Sequence, residues 1–342
     1  MRLIVTGGAG FIGSGFIRYI LQARPDYQVV NFDALTYAGN LENLAQVADN
    51  PRYQFVQGDI AYPDQVKVLL QRGADAVINF AAESHVDRSI MDAASFVTSN
   101  VLGTQVLLEA ARRTSHLRFI QISTDEVYGS LGPTGRFTEK SPLSPNSPYA
   151  ASKASADLLA RAYHMTYGMD VVITRCCNNY GPYQFPEKLI PLMTLNAIRD
   201  QRLPLYGDGL YTRDWVHVLD HSRAIVTILE KGQAGAVYNI GAGHEETNLD
   251  LVHRILAILN KPDSLIDSVR DRPGHDRRYS VDASRLQDEL GWSPMVTFDQ
   301  GLRETVEWYQ QHQPWVDHVR TGEYLQYYQT VYGEREKTLD EL

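Results

Sequence analysis

The apolar positions of the chain alternate between two rhythms. Short apolar-rich runs recur at Leu3-Ile-Val-Thr6, Val29-Val-Asn-Phe32, Tyr53-Gln-Phe-Val-Gln-Gly58, Ala76-Val-Ile-Asn-Phe80, Phe119-Ile-Gln-Ile-Ser123 and Val171-Val-Ile-Thr174. Runs of this kind read as strands buried in a parallel sheet. Between them the pattern turns helical, as at Phe16, Ile17, Ile20 and Leu21, over 96–113, and from Tyr149 to about Tyr167. Strand and helix in alternation predict an α/β fold: a Rossmann-type, doubly wound parallel sheet over residues 1–175.

After Arg175 the texture changes. The pattern predicts helices over 189–199, 221–230, 248–259 and 298–311, with short extended pieces at Leu205-Tyr206 and Val237-Tyr-Asn-Ile240. A smaller C-terminal α/β substrate lobe over 176–333 is expected, with some of its segments returning to the first domain. The charged residues 334–342 are expected to fray.

The first strand runs into Gly7-Gly-Ala-Gly-Phe-Ile-Gly13, where Gly8, Gly10 and Gly13 fit G-x-G-x-x-G. A helix follows, then a second strand closing on Asp33. Glycines let backbone approach a pyrophosphate, a helix N-terminus supplies free N–H groups, and an acid after the second strand accepts ribose hydroxyls. A carboxylate there would repel a 2′-phosphate, so NAD is expected over NADP. Asp59 and Ala81 fall at the ends of the next strands. So does Thr124, and ligands bind at the carboxyl ends of such sheets.

The fifth strand ends in Ser123-Thr-Asp-Glu126, and Tyr149 and Lys153 stand at i and i+4 on a helix face. A phenol is a weak base at neutrality, and a neighbouring ammonium can lower its pKa. Alone, Tyr149 and Lys153 read as an ordinary surface pair. Behind a dinucleotide fingerprint they read as the proton-transfer pair of an alcohol oxidation. Asp125 and Glu126 then suggest a second proton transfer, one as acid and one as base, the division of labour that eliminating water requires.

Composition narrows the classes. Apolar residues make up 44% and charged residues 21%, an ordinary globular balance. The net charge of −9 argues against nucleic acid as a partner. No apolar run approaches membrane-spanning length. No Cys/His spacing suggests a metal. Cys176 and Cys177 are adjacent and poorly placed to pair, and the chain opens on a strand rather than a leader, so a reduced, cytoplasmic setting is expected.

With these residues in hand the sequence resembles the extended short-chain dehydrogenase/reductase superfamily. Leu35-Thr-Tyr-Ala-Gly-Asn40, Ala81-Ala-Glu-Ser-His-Val-Asp-Arg-Ser89 and Ser123-Thr-Asp-Glu-Val-Tyr-Gly129 narrow it to the dTDP-glucose 4,6-dehydratase family. So do Asn178-Asn-Tyr-Gly-Pro182, Pro186-Glu-Lys-Leu-Ile-Pro191 and Asp271-Arg-Pro-Gly-His-Asp-Arg-Arg-Tyr279. The resemblance runs to about Tyr309. The Ser130–Ser147 loop and Arg175-Cys-Cys177 depart from the pattern.

The resemblance implies three steps on one bound NAD. Tyr149 would take the sugar 4-hydroxyl proton as C4 gives up hydride, with Thr124 and Lys153 assisting. Glu126 would remove the C5 proton, acidified by the new ketone, while Asp125 protonates the departing 6-hydroxyl. Hydride would return to C6, giving a 4-keto-6-deoxy sugar. Gly7, Gly10, Phe11, Ile12, Gly13, Asp33, Ala34, Leu35, Thr36, Asp59, Ile60, Phe80, Ala81, Ala82, Ser84, Ser99 and Asn179 would line the cofactor with Tyr149 and Lys153. Ser84, Thr124 and Asn178 would touch sugar and diphosphate. Lys188, Leu189, Pro204, Tyr206, Arg213, Asn248, Asp271, Arg272 and His275 would hold the nucleotide. A homodimer through the 96–113 and 149–167 helices is implied. The alternatives are a sibling 4-epimerase or decarboxylase, a dehydratase acting on UDP-glucose, and a non-catalytic NAD sensor. A sensor would be expected to have lost Tyr149 or Lys153.

Overall fold

The computed structural model describes residues 1–114 and 116–340. Twelve strands occur among them: β1 (Arg2–Thr6), β2 (Gln28–Asp33), β3 (Tyr53–Gln57), β4 (Ala76–Asn79), β5 (Arg118–Thr124), β6 (Val171–Cys176), β7 (Asn178–Tyr180), β8 (Leu203–Tyr206), β9 (Thr212–His217), β10 (Val237–Ile240), β11 (Glu245–Thr247) and β12 (Ile266–Val269). Seven form one sheet in the order β10-β6-β5-β4-β1-β2-β3, every pair parallel. The order reverses direction between β1 and β4, which opens a crevice at the carboxyl ends of those strands. β11, β9 and β7 make a second, mixed sheet, and β12 and β8 pair in parallel.

Successive side chains of the large sheet feed two cores, as a period of two requires. Leu3, Val5, Val29, Ile78 and Ile120 pack on one side with the helices Phe11–Ala23 and Val218–Lys231. Ile4, Val30, Val77, Phe119 and Val171 pack on the other with Val66, Leu107 and Ala160. A separate core around Met193, Leu203, Trp215, Leu251 and Leu302 holds the smaller lobe. The segment 218–240 returns from that lobe to the large sheet, where Val237 lies beside Ile173.

Most expected elements form within a residue or two of their expected ends. The helix Pro148–Tyr167 shows why: Ser147 Oγ accepts the Ala150 N–H at 3.1 Å, Pro148 opens the first turn, and Gly168 closes it at φ 68°. Three departures stand out. Residues 97–103 wind as a π-helix inside the expected helix over 96–113. A helix at Ser284–Leu290 is not among the elements expected from the sequence. The tail expected to fray forms the helix Arg335–Asp340, with 341–342 outside the described residues. Arg335 is buried there: its guanidinium donates to the Arg270 and Val331 carbonyls at 2.6 and 3.2 Å and lies 4.1 Å from the centre of the Tyr206 ring. Composition alone reads such a tail as solvated. Of the described helices, none is long and apolar enough to cross a membrane.

A polar row crosses the middle of the sheet just beneath the crevice. Thr6, Asn79 and Gln121 are register partners on β1, β4 and β5. Thr6 Oγ1 donates to Asn79 Oδ1 at 2.6 Å, and Asn79 Nδ2 donates to Gln121 Oε1 at 2.9 Å. All three are buried. The row can be satisfied in this register alone, because a slip would leave amide groups unpaired in an apolar layer. Asn79→Ala is expected to cost about 2–3 kcal/mol, since it orphans two buried groups at once. A urea midpoint shifted by less than a fifth of that would remove the row from the account.

Candidate active site

The glycine turn has a division of roles that the motif alone does not reveal. Gly7 is at φ 67°, and a Cβ there would lie 2.5 Å from Ala81 N. A Cβ on Gly13 would lie 2.3 Å from the Gly7 carbonyl oxygen. Both are needed for the protein's own packing. At Gly10 the nearest protein atom is the Gly7 carbonyl at 3.4 Å, so that position is open toward the crevice. Gly10 also caps the helix Phe11–Ala23, whose first turn has no side-chain cap. Open backbone at an uncapped helix start fits a pyrophosphate.

Asp33 closes β2 and is buried, which raises its pKa against the pull of two backbone donors. Its Oδ2 accepts Ala9 N at 2.9 Å and Oδ1 accepts Leu35 N at 2.8 Å. Each oxygen keeps a further lone pair for a ribose hydroxyl. Leu35, held at φ 55° by that bond, serves Asp33 and does not line the cleft.

One cleft gathers most of the expected residues. Gly7, Gly10, Phe11, Ile12, Gly13, Asp33, Ala34, Thr36, Asp59, Ile60, Phe80, Ala81, Ala82, Ser84 and Ser99 line it at the cofactor end. Thr124, Asp125, Glu126, Tyr149, Lys153, Asn178, Asn179 and Lys188 line it further along. The fit of the glycine turn, Asp33 and this cleft to NAD is therefore good. Glu83, Gln184, Phe185, Glu187, Cys176 and Cys177 line it too and were missed. Glu187 was legible only as part of the Pro186–Pro191 stretch. It is buried, accepts from Tyr37 Oη at 2.9 Å and pairs with Arg88 at 3.0 Å.

The other expected residues form a neighbouring cluster. Tyr206 Oη and Arg272 Nη1 both donate to Asp87, at 2.8 and 2.9 Å. Burial pushes the Asp87 carboxyl up, but Arg272 with His85 and Tyr206 takes it well below the usual range. Asp87 is the hub, and its signal lay inside the Ala81–Ser89 stretch. His275 stacks on Tyr211 at 3.7 Å and bonds Asp271 at 2.7 Å, with burial taking it down to about 4. Arg213 is buried and donates to the carbonyls of Thr212, Asp276 and Arg277. Asn248 Oδ1 is buried without a partner at the head of its helix. Leu189 opens a helix capped by Lys188 with no side-chain bond, and Pro204 lies in β8.

The proton-handling groups expected from the sequence meet at the end of β5. Thr124 caps the short turn Asp125–Tyr128, its hydroxyl accepting Glu126 N at 3.2 Å. That turn sends Asp125 inward, 1% exposed, and leaves Glu126 facing the cleft. Burial, then Glu126, then Asp214 raise the Asp125 carboxyl well above its ordinary value. Burial, with Asp276 adding to it, also leaves Glu126 above its ordinary value, but here Arg272, Arg213 and Lys188 all draw it back. Neighbouring charge therefore pushes the two carboxyls apart: anions favour a proton on Asp125, and cations favour ionised Glu126.

The Tyr149 hydroxyl differs from the simple expectation of a lowered pKa. Burial, then Glu126, raise it, and the Thr124 hydroxyl draws it back. The Lys153 ammonium donates to the Ile122 carbonyl at 2.6 Å, and burial lowers its pKa against the pull of Asp157. Both groups sit in the same dry wall: at Tyr149 the nearby carboxylates add to the effect of burial, and at Lys153 burial outweighs the pull of Asp157. The Cys176 thiol beside them is pushed up to about 12, chiefly by burial, so it stays neutral. Among the described residues no cluster of side chains could hold a metal ion.

Comparison with known proteins agrees with this geometry. Residues 4–305 match the family model for GDP-mannose 4,6 dehydratase. A dTDP-glucose 4,6-dehydratase from Streptomyces niveus is 54% identical over 325 residues, 94% of this chain and 96% of that protein. The dTDP-glucose 4,6-dehydratase from Streptomyces venezuelae, solved with NAD and a thymidine nucleotide bound, superposes with a TM-score of 0.91 at 54% identity. The match covers 93% of this chain and all of that one. A UDP-glucuronic acid 4-epimerase from Bacillus cereus shares the fold at a TM-score of 0.85 but only 32% identity, over 91% of this chain and 99% of that one. With two carboxyls in unlike charge surroundings set beside the tyrosine, and relatives of this closeness over nearly its whole length, the chain belongs to the NAD-dependent dTDP-glucose 4,6-dehydratase family.

Proposed function

We propose that this chain dehydrates dTDP-D-glucose to dTDP-4-keto-6-deoxy-D-glucose. The observation that carries the reading is the opposed electrostatic setting of Asp125 and Glu126 at the end of β5. NAD, when bound, supplies the chemistry of taking hydride from C4 and returning it to C6. Tyr149 takes the 4-hydroxyl proton, with Thr124 hydrogen-bonding the same oxygen and the Lys153 charge favouring the phenolate. Once C4 is a ketone, the C5 proton is acidic enough for a carboxylate, and Glu126 removes it. Asp125, kept protonated by burial and two neighbouring carboxylates, delivers its proton to the departing 6-hydroxyl. Lys188, Arg213 and Arg272 face the substrate end with positive charge suited to a diphosphate.

The direct test is to incubate the purified protein with dTDP-glucose, adding no NAD, and follow the keto product by its absorbance in alkali. Product is expected, and the Asp125→Asn, Glu126→Gln double variant is expected to lose it. Faster product from UDP-glucose would keep the chemistry and move the substrate. An epimer in place of keto product would return the chain to the sibling reaction.

The charge logic gives a pH dependence. Glu126 must be ionised, so activity falls on the acid side as it gains a proton. Asp125 must be protonated, so activity falls on the alkaline side as it loses one. Asp214, itself pushed up to about 7 chiefly by burial, adds negative charge that holds the Asp125 proton. Asp214→Asn is therefore expected to move the alkaline limb to lower pH. A limb that stays in place would remove Asp214 from the proton balance.

The chain acts as a homodimer in the cytoplasm in this reading. Ala151, Leu158, Ala162 and Met165 form an exposed stripe on the helix Pro148–Tyr167, opposite the face carrying Tyr149 and Lys153. Val97 and Leu102 are exposed on the neighbouring helix. Two such helices per subunit match the apolar seam of a two-fold bundle. Light scattering is expected to give a dimer, and Leu158→Glu with Met165→Glu a monomer. A monomeric parent protein would end the proposal.

A further inference from the structure

Tyr149, Lys153 and Asp157 stand on successive turns of one buried helix face. The first two belong to the chemistry above. Asp157 has no part in it, yet it is only 1% exposed. Arg175 on β6 reaches it from the sheet: Nε donates to Asp157 Oδ2 at 2.8 Å, and Nη1 donates to the Tyr128 hydroxyl at 3.0 Å. The Tyr128 hydroxyl donates in turn to Asn239 Oδ1 on β10 at 2.8 Å, which ties the guanidinium to that strand. The other carboxylate oxygen, Asp157 Oδ1, is buried, and the Ser123 hydroxyl also helps hold the carboxylate.

Stability explains little of this. A buried ion pair contributes weakly to the fold, because desolvation offsets the attraction, and apolar replacements of similar volume are often neutral. Its position is more informative. Burial acts to discharge Lys153, and the first group opposing that is Asp157. The ionisable groups around Lys153 are Tyr149 and Asp157 on its own helix, Cys176 and Arg175 on β6, and Asp125 and Glu126 beyond β5. The thiol is neutral, so Asp157 is the counter-ion on the far side of the lysine from the tyrosine. Burial raises the Asp157 carboxyl, and Arg175 is the strongest influence drawing it back toward the ionised form. The order Arg175, Asp157, Lys153, Tyr149 thus alternates in sign and ends on the phenol.

We propose that Asp157, clamped by Arg175, is a positioning residue for proton transfer at Tyr149: it supplies the counter-charge that keeps the Lys153 ammonium in place behind the tyrosine. The inference rests on the reading of Tyr149 as base and Lys153 as its cation.

Two readouts test it. One is single-turnover oxidation of the sugar against pH in the protein with its bound NAD. The other is a tyrosinate absorbance titration, taken as the difference between each variant and its Tyr149→Phe counterpart. Asp157→Asn leaves two buried cations side by side, so the lysine discharges and the phenol pKa rises. Oxidation at neutral pH is expected to fall at least about tenfold, the equivalent of one pKa unit, and to recover as pH is raised. Adding Arg175→Met removes the second cation and leaves Lys153 as the one buried cation of the row. That double variant is expected to keep an acid limb displaced upward, by less than the single variant. It carries the test alone should Asp157→Asn not fold. A loss by the same factor at every pH, with the tyrosinate titration unmoved, would overturn the proposal and leave Asp157 a packing residue. Lys153→Met separates the two layers: if it too leaves the titration and the acid limb unchanged, the underlying role of the lysine fails rather than that of Asp157.

Discussion

Desolvation at the carboxyl end of β5 is the constraint on which the rest of the site depends. Asp125, Tyr149, Lys153 and Asp157 are all nearly sealed from water, and burial is the largest influence on each. Left to itself, burial would make all four neutral. At Asp125 the fold reinforces that tendency with Glu126 and Asp214, and elsewhere it opposes it: three cations across from Glu126, Asp157 behind Lys153, Arg175 behind Asp157. Water exclusion makes those corrections effective, since a charge acts several-fold more strongly in a low-dielectric wall than in solvent.

That wall exists because the sheet is parallel and covered on both faces. Strands buried on both sides must be apolar along their length, and the polar groups they carry must pair across the sheet, as Thr6, Asn79 and Gln121 do. The direction reversal between β1 and β4 then leaves a crevice where the first protein atoms met are strand ends and helix starts. The glycine turn, Asp33 and the Thr124–Glu126 turn all occupy such ends. A single topological feature thus sets the distance between cofactor and proton-handling groups.

What could be read from the sequence follows from range. The strands of the large sheet were legible because double burial writes itself into consecutive residues. Tyr149 and Lys153 were legible because a helix brings i and i+4 together. Asp157 lies another four residues on and was equally accessible, but its meaning depends on Arg175, which comes from another strand. Asp87 stood inside a legible stretch, but its part as a hub was out of reach for the same reason: Tyr206 and Arg272 reach it from far along the chain. Arg335 was misread because a charged tail is usually solvated, and only its contacts with Tyr206 and two carbonyls reveal that it docks. The sign of the Tyr149 shift was also out of reach, since the pattern shows the neighbouring lysine but not the depth at which both are buried.

The nucleotide end obeys a different balance from the reacting end. Arg272 is already compensated by Asp87, so its charge is largely spent within the protein. Arg213 donates only to backbone carbonyls and Lys188 only to the Ser84 carbonyl, at 2.6 Å. Carbonyls satisfy hydrogen bonds without cancelling charge. Arg213 and Lys188, the latter beside the Glu187 carboxylate, therefore bring positive potential to this end of the cleft, and both also act on Glu126. A diphosphate settling between them would neutralise part of that potential and weaken their hold on the Glu126 proton balance. Substrate binding would then raise the affinity of Glu126 for a proton at the point where it must act as a base. In the proposed reaction, an anion held by these cations would thereby tune the carboxylate they oppose, and recognition and reactivity would share the same charges.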